Sequence, residues 1–127
     1  MIDGLLLDTD VIIDYPRGQA AAVSYLEALT GPLFISAITL AELYAGARPD
    51  EEAHLKSFIA AFDVVPVDID IARVGGSYRR VYGKSHGTGI ADALIAAAAG
   101  SVHAQLVTLN RKHFAMCPDL IVPYEKS

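Results

Sequence analysis

Four oxygen-bearing side chains, Asp8, Glu42, Asp92 and Asn110, stand where an α/β chain can gather its chemistry. Asp8 follows the apolar run Leu5-Leu6-Leu7, and Asn110 follows the run that ends at Leu109. Glu42 falls in the first turns of a helical pattern, and Asp92 near the start of an alanine-rich one. Each also has an ordinary structural role. Asp8 or Asp10 can cap a helix, Thr39-Leu40-Ala41-Glu42 matches a capping box with Glu42 folding back to the Thr39 amide, Asp92 suits a helix N-terminus, and asparagine is a common turn residue. Capping accounts for one carboxylate per helix, but it does not require oxygen ligands to collect at one end of a sheet. Two or three carboxylates within ~5 Å repel one another and raise their pKa values unless a cation neutralises them. Oxygen-only ligation with an open position suits Mg²⁺ or Mn²⁺. Such a centre generates a hydroxide nucleophile and stabilises the leaving oxygen of an in-line displacement, which is the chemistry of phosphodiester hydrolysis.

The elements that must position these groups follow from apolar spacing. Short apolar runs at residues 4–7, 33–35, 64–65, 105–109 and 120–122 predict strands, the third short or at an edge because Pro66 follows it. Residues 11–15 predict a short helix that stops before Pro16. Residues 19–29, 39–47 and 51–62 predict further helices; in the last, Leu55, Phe58, Ile59 and Phe62 recur at amphipathic spacing. Residues 68–83 predict a helix weakened by Gly75-Gly76, and residues 91–99 one that ends at Gly100. Strands alternating with helices predict an α/β domain with a mainly parallel sheet. In such sheets ligands bind beyond the carboxyl ends of the strands, near the switch in strand order.

Composition bounds the remaining choices. A chain of 127 residues and 13.5 kDa reads as one domain over residues 1–127. About two-thirds of its unfolded surface is expected to be buried on folding, enough for a core without staples. Hydrophobic residues make up 53% and charged residues 20%, which excludes a disordered or coiled-coil chain. The single cysteine, Cys117, excludes a disulfide framework and fits a reducing cytoplasm. No apolar run spans a bilayer, and Met1-Ile2-Asp3 lacks the basic start of a leader. Net charge is −5, divided into −9 over residues 1–70 and +4 over residues 71–127. Between Asp70 and Asp92 there is no acid, while Arg73, Arg79, Arg80 and Lys84 all occur. That segment is either a solvated helix face or a basic lip for a polyanion beside the acidic centre.

The stretch LLLDTDVIIDY, the spacing Ser36-x-x-Thr39-x-x-Glu42-Leu43, the stretch GTGIADALIAA and the ending LVTLNRKHF resemble the motifs of PIN-domain proteins. Within that family the chain is most similar to the VapC ribonuclease toxins of toxin–antitoxin pairs, over essentially its whole length. The resemblance implies a three-layer α/β/α domain with a mainly parallel sheet of about five strands. It also implies a Mg²⁺- or Mn²⁺-dependent endoribonuclease, a VapB-like antitoxin that covers the active site, and a homodimer. Asp8, Glu42 and Asp92 match the family's acids and its metal ligands. Thr9 matches the hydroxyl residue after the first acid, Thr39 the one three before the second, and Asn110 the fourth motif position, near Thr108. Many PIN nucleases carry an acid at that fourth position; asparagine removes one negative charge and bears on a second cation. Arg79, Arg80 and Lys84 are then the candidates for the RNA backbone.

Two rivals stand beside this reading. Strand-Asp8-Thr9-Asp10 also suits a haloacid dehalogenase-like phosphatase with Asp8 as nucleophile. Ile12 at the fifth motif position and the lack of a Gly-Asp-Gly-like acidic pair near the C-terminus oppose it. The second rival is a catalytically inactive PIN fold used as a binding module, for which Asn110 speaks. His86 and His113 stand near the proposed site, within reach of phosphate, and Cys117 reads as a packing residue.

Overall fold

A computed structural model describes residues 4–125; residues 1–3, read above for a leader, lie outside them. The described chain runs β1 (Leu5–Leu7), α1 (Thr9–Asp14), α2 (Ala20–Ala28), β2 (Leu33–Ser36), α3 (Ala37–Gly46), α4 (Glu52–Ile59), β3 (Asp63–Val65), α5 (Ile69–His86), α6 (Ile90–Ser101) and β4 (Gln105–Val107). Short 3-10 turns at Pro49–Glu51 and Arg111–Phe114 complete it. The four strands are all parallel, in the order β3-β2-β1-β4.

Side chains alternate across the strands, so β1, β2 and β4 each feed two cores. Leu6 and Leu106 face one cluster with Ile71, Ile95, Ala96 and Phe114, which belongs to α5, α6 and the second 3-10 turn. Leu7 and Val107 face the other with Val11, Ile12, Ile35 and Leu43, covered by side chains of α2 and α4. A parallel sheet buried on both faces is the reason these strands read as unbroken apolar runs. The three-layer α/β/α architecture is the one the sequence implies.

The differences lie at element ends. The fifth strand, expected at 120–122, is reduced to one parallel bridge between Val107 and Ile121, because Pro118 and Pro123 flank it and cannot donate to a ladder. The strand expected at 105–109 stops at Val107, so Asn110 lies beyond it, at the head of the 3-10 turn. Helix α6 runs through Gly100 to Ser101, and His103 (φ 55°) takes the left-handed position after it. The helix expected from residue 51 to 62 ends at Ile59. Pro66 does follow the edge strand. No described helix is long and apolar enough to cross a membrane.

Gly75 explains itself at the crossing of α5 and α6. A Cβ there would stand 2.6 Å from Leu94 Cδ2 and 3.2 Å from Leu94 Cα. Its absence lets α5 lie close against α6, the helix that carries Asp92.

Candidate active site

The chain climbs from β1 to β2 and β3 on one side, then crosses back to place β4 on the other side of β1. The switch in strand order therefore lies between β1 and β4, and the carboxyl ends of those two strands are where a ligand site belongs. Leu7 is level with Val107, so one residue further Asp8 comes level with Thr108.

Asp8 is nearly fully buried and caps α1. Its Oδ1 accepts from the Thr9 amide at 2.8 Å, and its Oδ2 from the Thr108 hydroxyl at 2.8 Å. Burial, and then the neighbouring Asp10 charge, push the Asp8 carboxyl up to about 7; Asp92 raises it further, while the two hydrogen bonds hold it down. Asp8 thus feels two other carboxylates. Asp10 itself is tied to the segment after β4, since its Oδ2 accepts from the Leu109 amide at 3.2 Å.

Glu42 reaches the same end of the sheet by a different bond from the capping box expected for it. Ser36, not Thr39, caps α3, accepting from the Ile38 amide at 3.0 Å. Thr39 is therefore inside the first turn, fully buried, and Glu42 lies one turn beyond it. The Thr9 hydroxyl stands 2.6 Å from Glu42 Oε1 and 3.0 Å from Thr39 Oγ1. A hydroxyl has one proton, so Thr9 donates to the carboxylate and accepts from Thr39.

Asp92 projects from the first turn of α6. Its Oδ2 accepts from the Gly89 amide at 3.3 Å and lies 3.2 Å from His113 Nδ1. Asn110 sits beside that histidine, with Nδ2 2.7 Å from the same Nδ1, and its backbone N–H donates to Thr108 Oγ1 at 3.1 Å. The structure thus brings Asp8, Thr9, Glu42, Asp92 and Asn110 to one edge of the sheet through Thr39, Thr108 and His113. Thr108 and His113 carry contacts that spacing alone does not single out, although both lie inside the quoted ending LVTLNRKHF.

The acids do not face one another as a finished cage. Among the described residues no three His, Cys, Asp or Glu side chains stand close enough together to enclose a metal ion. Each carboxylate accepts from a protein donor. What remains is an Asp8–Asp92 pair close enough to interact electrostatically. Mg²⁺ is commonly held by one or two carboxylates, with waters and substrate phosphate oxygens supplying the rest, so this all-oxygen donor set fits such a cation.

The basic candidates are placed differently. Arg79, Arg80 and Lys84 are exposed on α5. Arg79 lies back over Gly83, and Arg80 donates to Ser77 at 3.3 Å, so both are partly occupied along their own helix. Arg111 and Lys112, exposed in the turn between Asn110 and His113, were not singled out by the acid-free segment that drew attention to α5. Among the described residues neither forms an ion pair.

The PIN domain family, compared as a whole, matches residues 5–117. The ribonuclease VapC19 of Mycobacterium tuberculosis is 45% identical over 123 residues, covering 94% of this chain and 98% of that protein. The ribonuclease VapC10 of the same organism is 41% identical, covering 94% and 92%. Among solved structures, a toxin–antitoxin complex from Klebsiella pneumoniae is similar with a TM-score of 0.86 at 31% identity, over 97% of this chain and 100% of that one. A DNA-bound VapBC from Salmonella typhimurium is similar with a TM-score of 0.77 at 28% identity, over 94% and 96%.

Proposed function

Because this chain belongs to the PIN domain family, we propose that it is a VapC-like endoribonuclease toxin that hydrolyses RNA phosphodiester bonds with Mg²⁺ or Mn²⁺. It is held in check by a VapB-like antitoxin and works as a homodimer in the cytoplasm, one PIN-like domain over residues 1–127. The observation that carries this reading is Asp8, buried at the carboxyl end of β1 with its pKa raised to about 7 by burial, Asp10 and Asp92.

Asp8 and Asp92 are the residues that would hold the cation, with Glu42 directly or through water. A bound cation supplies Lewis-acid activation of water and charge neutralisation at the phosphate. Thr9 holds Glu42 from the start of α1, Thr39 holds Thr9 in turn, and Thr108 fixes which face Asp8 presents. Asn110 borders the same edge. Arg79, Arg80 and Lys84, together with Arg111 and Lys112, carry the RNA backbone. The partner reading draws support from an apolar hollow of about 250 Å³ lined by Tyr15, Leu26, Leu33, Phe58 and Phe62. Exposed Val74 and Val81, one heptad apart on α5, suit a contact between copies.

The phosphatase reading is not favoured, because the matched family is the PIN domain and the curated relatives are ribonucleases. The experiment is cleavage of a mixed RNA substrate with and without Mn²⁺. Wild type should cut only with the cation, and Asp8→Asn and Asp92→Asn should each lose at least about a hundredfold. Near-normal rates in either variant overturn the site. Failure of the wild type to cut any RNA, with antitoxin binding intact, favours the binding module.

A further inference from the structure

His113 makes more contacts at this edge than a surface histidine needs. The buried Thr88 hydroxyl donates to its carbonyl at 2.7 Å. Gly87, in the left-handed region at φ +68°, lies against its ring, where a Cβ would stand 3.3 Å from Nε2. Phe114, next in sequence, is buried in the core. The residue is thus fastened along its backbone, with the Nε2 edge of the ring beside Gly87 and Nδ1 facing Asp92 and Asn110.

Those two neighbours place opposite demands on Nδ1. It lies 3.2 Å from an Asp92 carboxylate oxygen and 2.7 Å from the Asn110 amide nitrogen. A bare Nδ1 would turn its lone pair on the carboxylate; a protonated one would meet the amide's own hydrogens. The nitrogen and oxygen ends of an asparagine amide are assigned from their hydrogen bonds. Turning the Asn110 amide over removes both conflicts at once. An N–H on Nδ1 then donates to the Asn110 carbonyl, with the Asp92 oxygen at 3.2 Å the second, longer acceptor of the same shared hydrogen.

The consequence is specific. Asp92 Oδ2 is held by Gly89 and His113, while Oδ1 has no hydrogen bond among the described residues and stays open. In that orientation the Asn110 carbonyl is committed to the ring. We propose that His113 and Asn110 form a positioning clamp that aims Asp92, with Asn110 serving the imidazole rather than the cation. This rests on the cation-dependent reading above.

A double-mutant cycle on Mn²⁺ affinity, read by electron paramagnetic resonance on the full chain without RNA, tests it. Removing an outer-shell partner typically costs about 10–100-fold in metal affinity. His113→Ala and Asn110→Ala should each weaken Mn²⁺ by about tenfold, and the double variant by no more than either alone, since coupled groups are not additive. His113→Asn keeps an N–H at the Nδ1 position and should stay within about threefold of wild type. Losses that multiply in the double variant would make Asn110 an independent ligand and overturn the clamp. So would His113→Ala with unchanged affinity, or His113→Asn as weak as alanine despite an intact melting transition. If the wild type takes up no Mn²⁺, the cation reading falls and the clamp with it; wild-type uptake matched by His113→Ala removes the clamp alone.

Discussion

The Thr9 hydroxyl lies 2.6 Å from a Glu42 carboxylate oxygen and ties the start of α1 to α3 across 33 residues of sequence. The pair is supported from below by fully buried Thr39. Thr9→Val removes the donor but keeps the shape, so Glu42 loses its orientation while α1 keeps its Asp8 cap. The expected result is an RNA-cleavage rate lower by about 10–100-fold with a melting temperature within a few degrees of wild type. Thr39→Val should be the less stable of the two, by about 1–3 kcal/mol, because its site is fully buried. Urea unfolding beside a cleavage assay separates the two effects.

Stability should fall as pH rises through the acid range, and Asp8 is the reason. Its carboxyl keeps its proton up to about 7 in the folded chain, but only to about 4 when unfolded. Below pH 4 both forms are protonated and the group contributes nothing. Between about pH 4 and 7 the unfolded chain has released a proton that the folded chain still holds, so each step up in pH favours unfolding. The full penalty, on the order of 4 kcal/mol, is present above pH 7. Cation-free urea unfolding of the wild type should therefore show lower stability at pH 8 than at pH 5. Asp8→Asn should flatten that difference and be more stable than wild type at pH 8, while losing cleavage. A wild-type profile that rises from pH 5 to 8, with Asp8→Asn unchanged beside it, would mean that Asp8 is not the strained acid.

The sheet and its layers were readable because their cause is local. Runs such as Leu5-Leu6-Leu7 feed both cores, and helical spacing in α4 and α5 is set by which face is buried. The acids were readable because strand ends in a parallel fold share one edge. Helix boundaries were less so. Thr39-x-x-Glu42 obeys the capping-box pattern, yet Ser36 takes the cap, and that frees Glu42 to meet Thr9. Nothing near Glu42 in sequence announces a partner at residue 9. The roles of Thr108 and His113 were hidden for the same reason: their partners, Asp8 and Asp92, are set by strand register and by the packing of α6. Gly75-Gly76 read as a mere weakness in α5, whereas the first of the two is a packing requirement.

That asymmetry can be measured on two adjacent glycines. Gly75→Ala would drive a Cβ into Leu94, including its backbone, and overpacking of this kind costs about 1–3 kcal/mol. Gly76→Ala meets nothing within 4 Å and should stabilise the helix by about 0.5–1 kcal/mol. Opposite shifts in melting temperature are expected. Because α6 carries Asp92, Gly75→Ala should also slow cleavage, whereas Gly76→Ala should leave it unchanged.

Salt dependence distinguishes the two groups of cations. For single-stranded nucleic acid, each neutralised phosphate contributes about 0.7 to the slope of log affinity against log salt. Arg111 and Lys112 flank Asn110 and His113 without an ion pair among the described residues, whereas Arg79 and Arg80 are drawn along α5. Arg111→Gln with Lys112→Gln should therefore reduce the slope by about 1.4, and Arg79→Gln with Arg80→Gln by less. Measuring RNA binding by cleavage-deficient Asp8→Asn at several salt concentrations reads this directly. An unchanged slope for the 111/112 pair, with a large change for the 79/80 pair, would move the RNA path from the turn after β4 onto the face of α5.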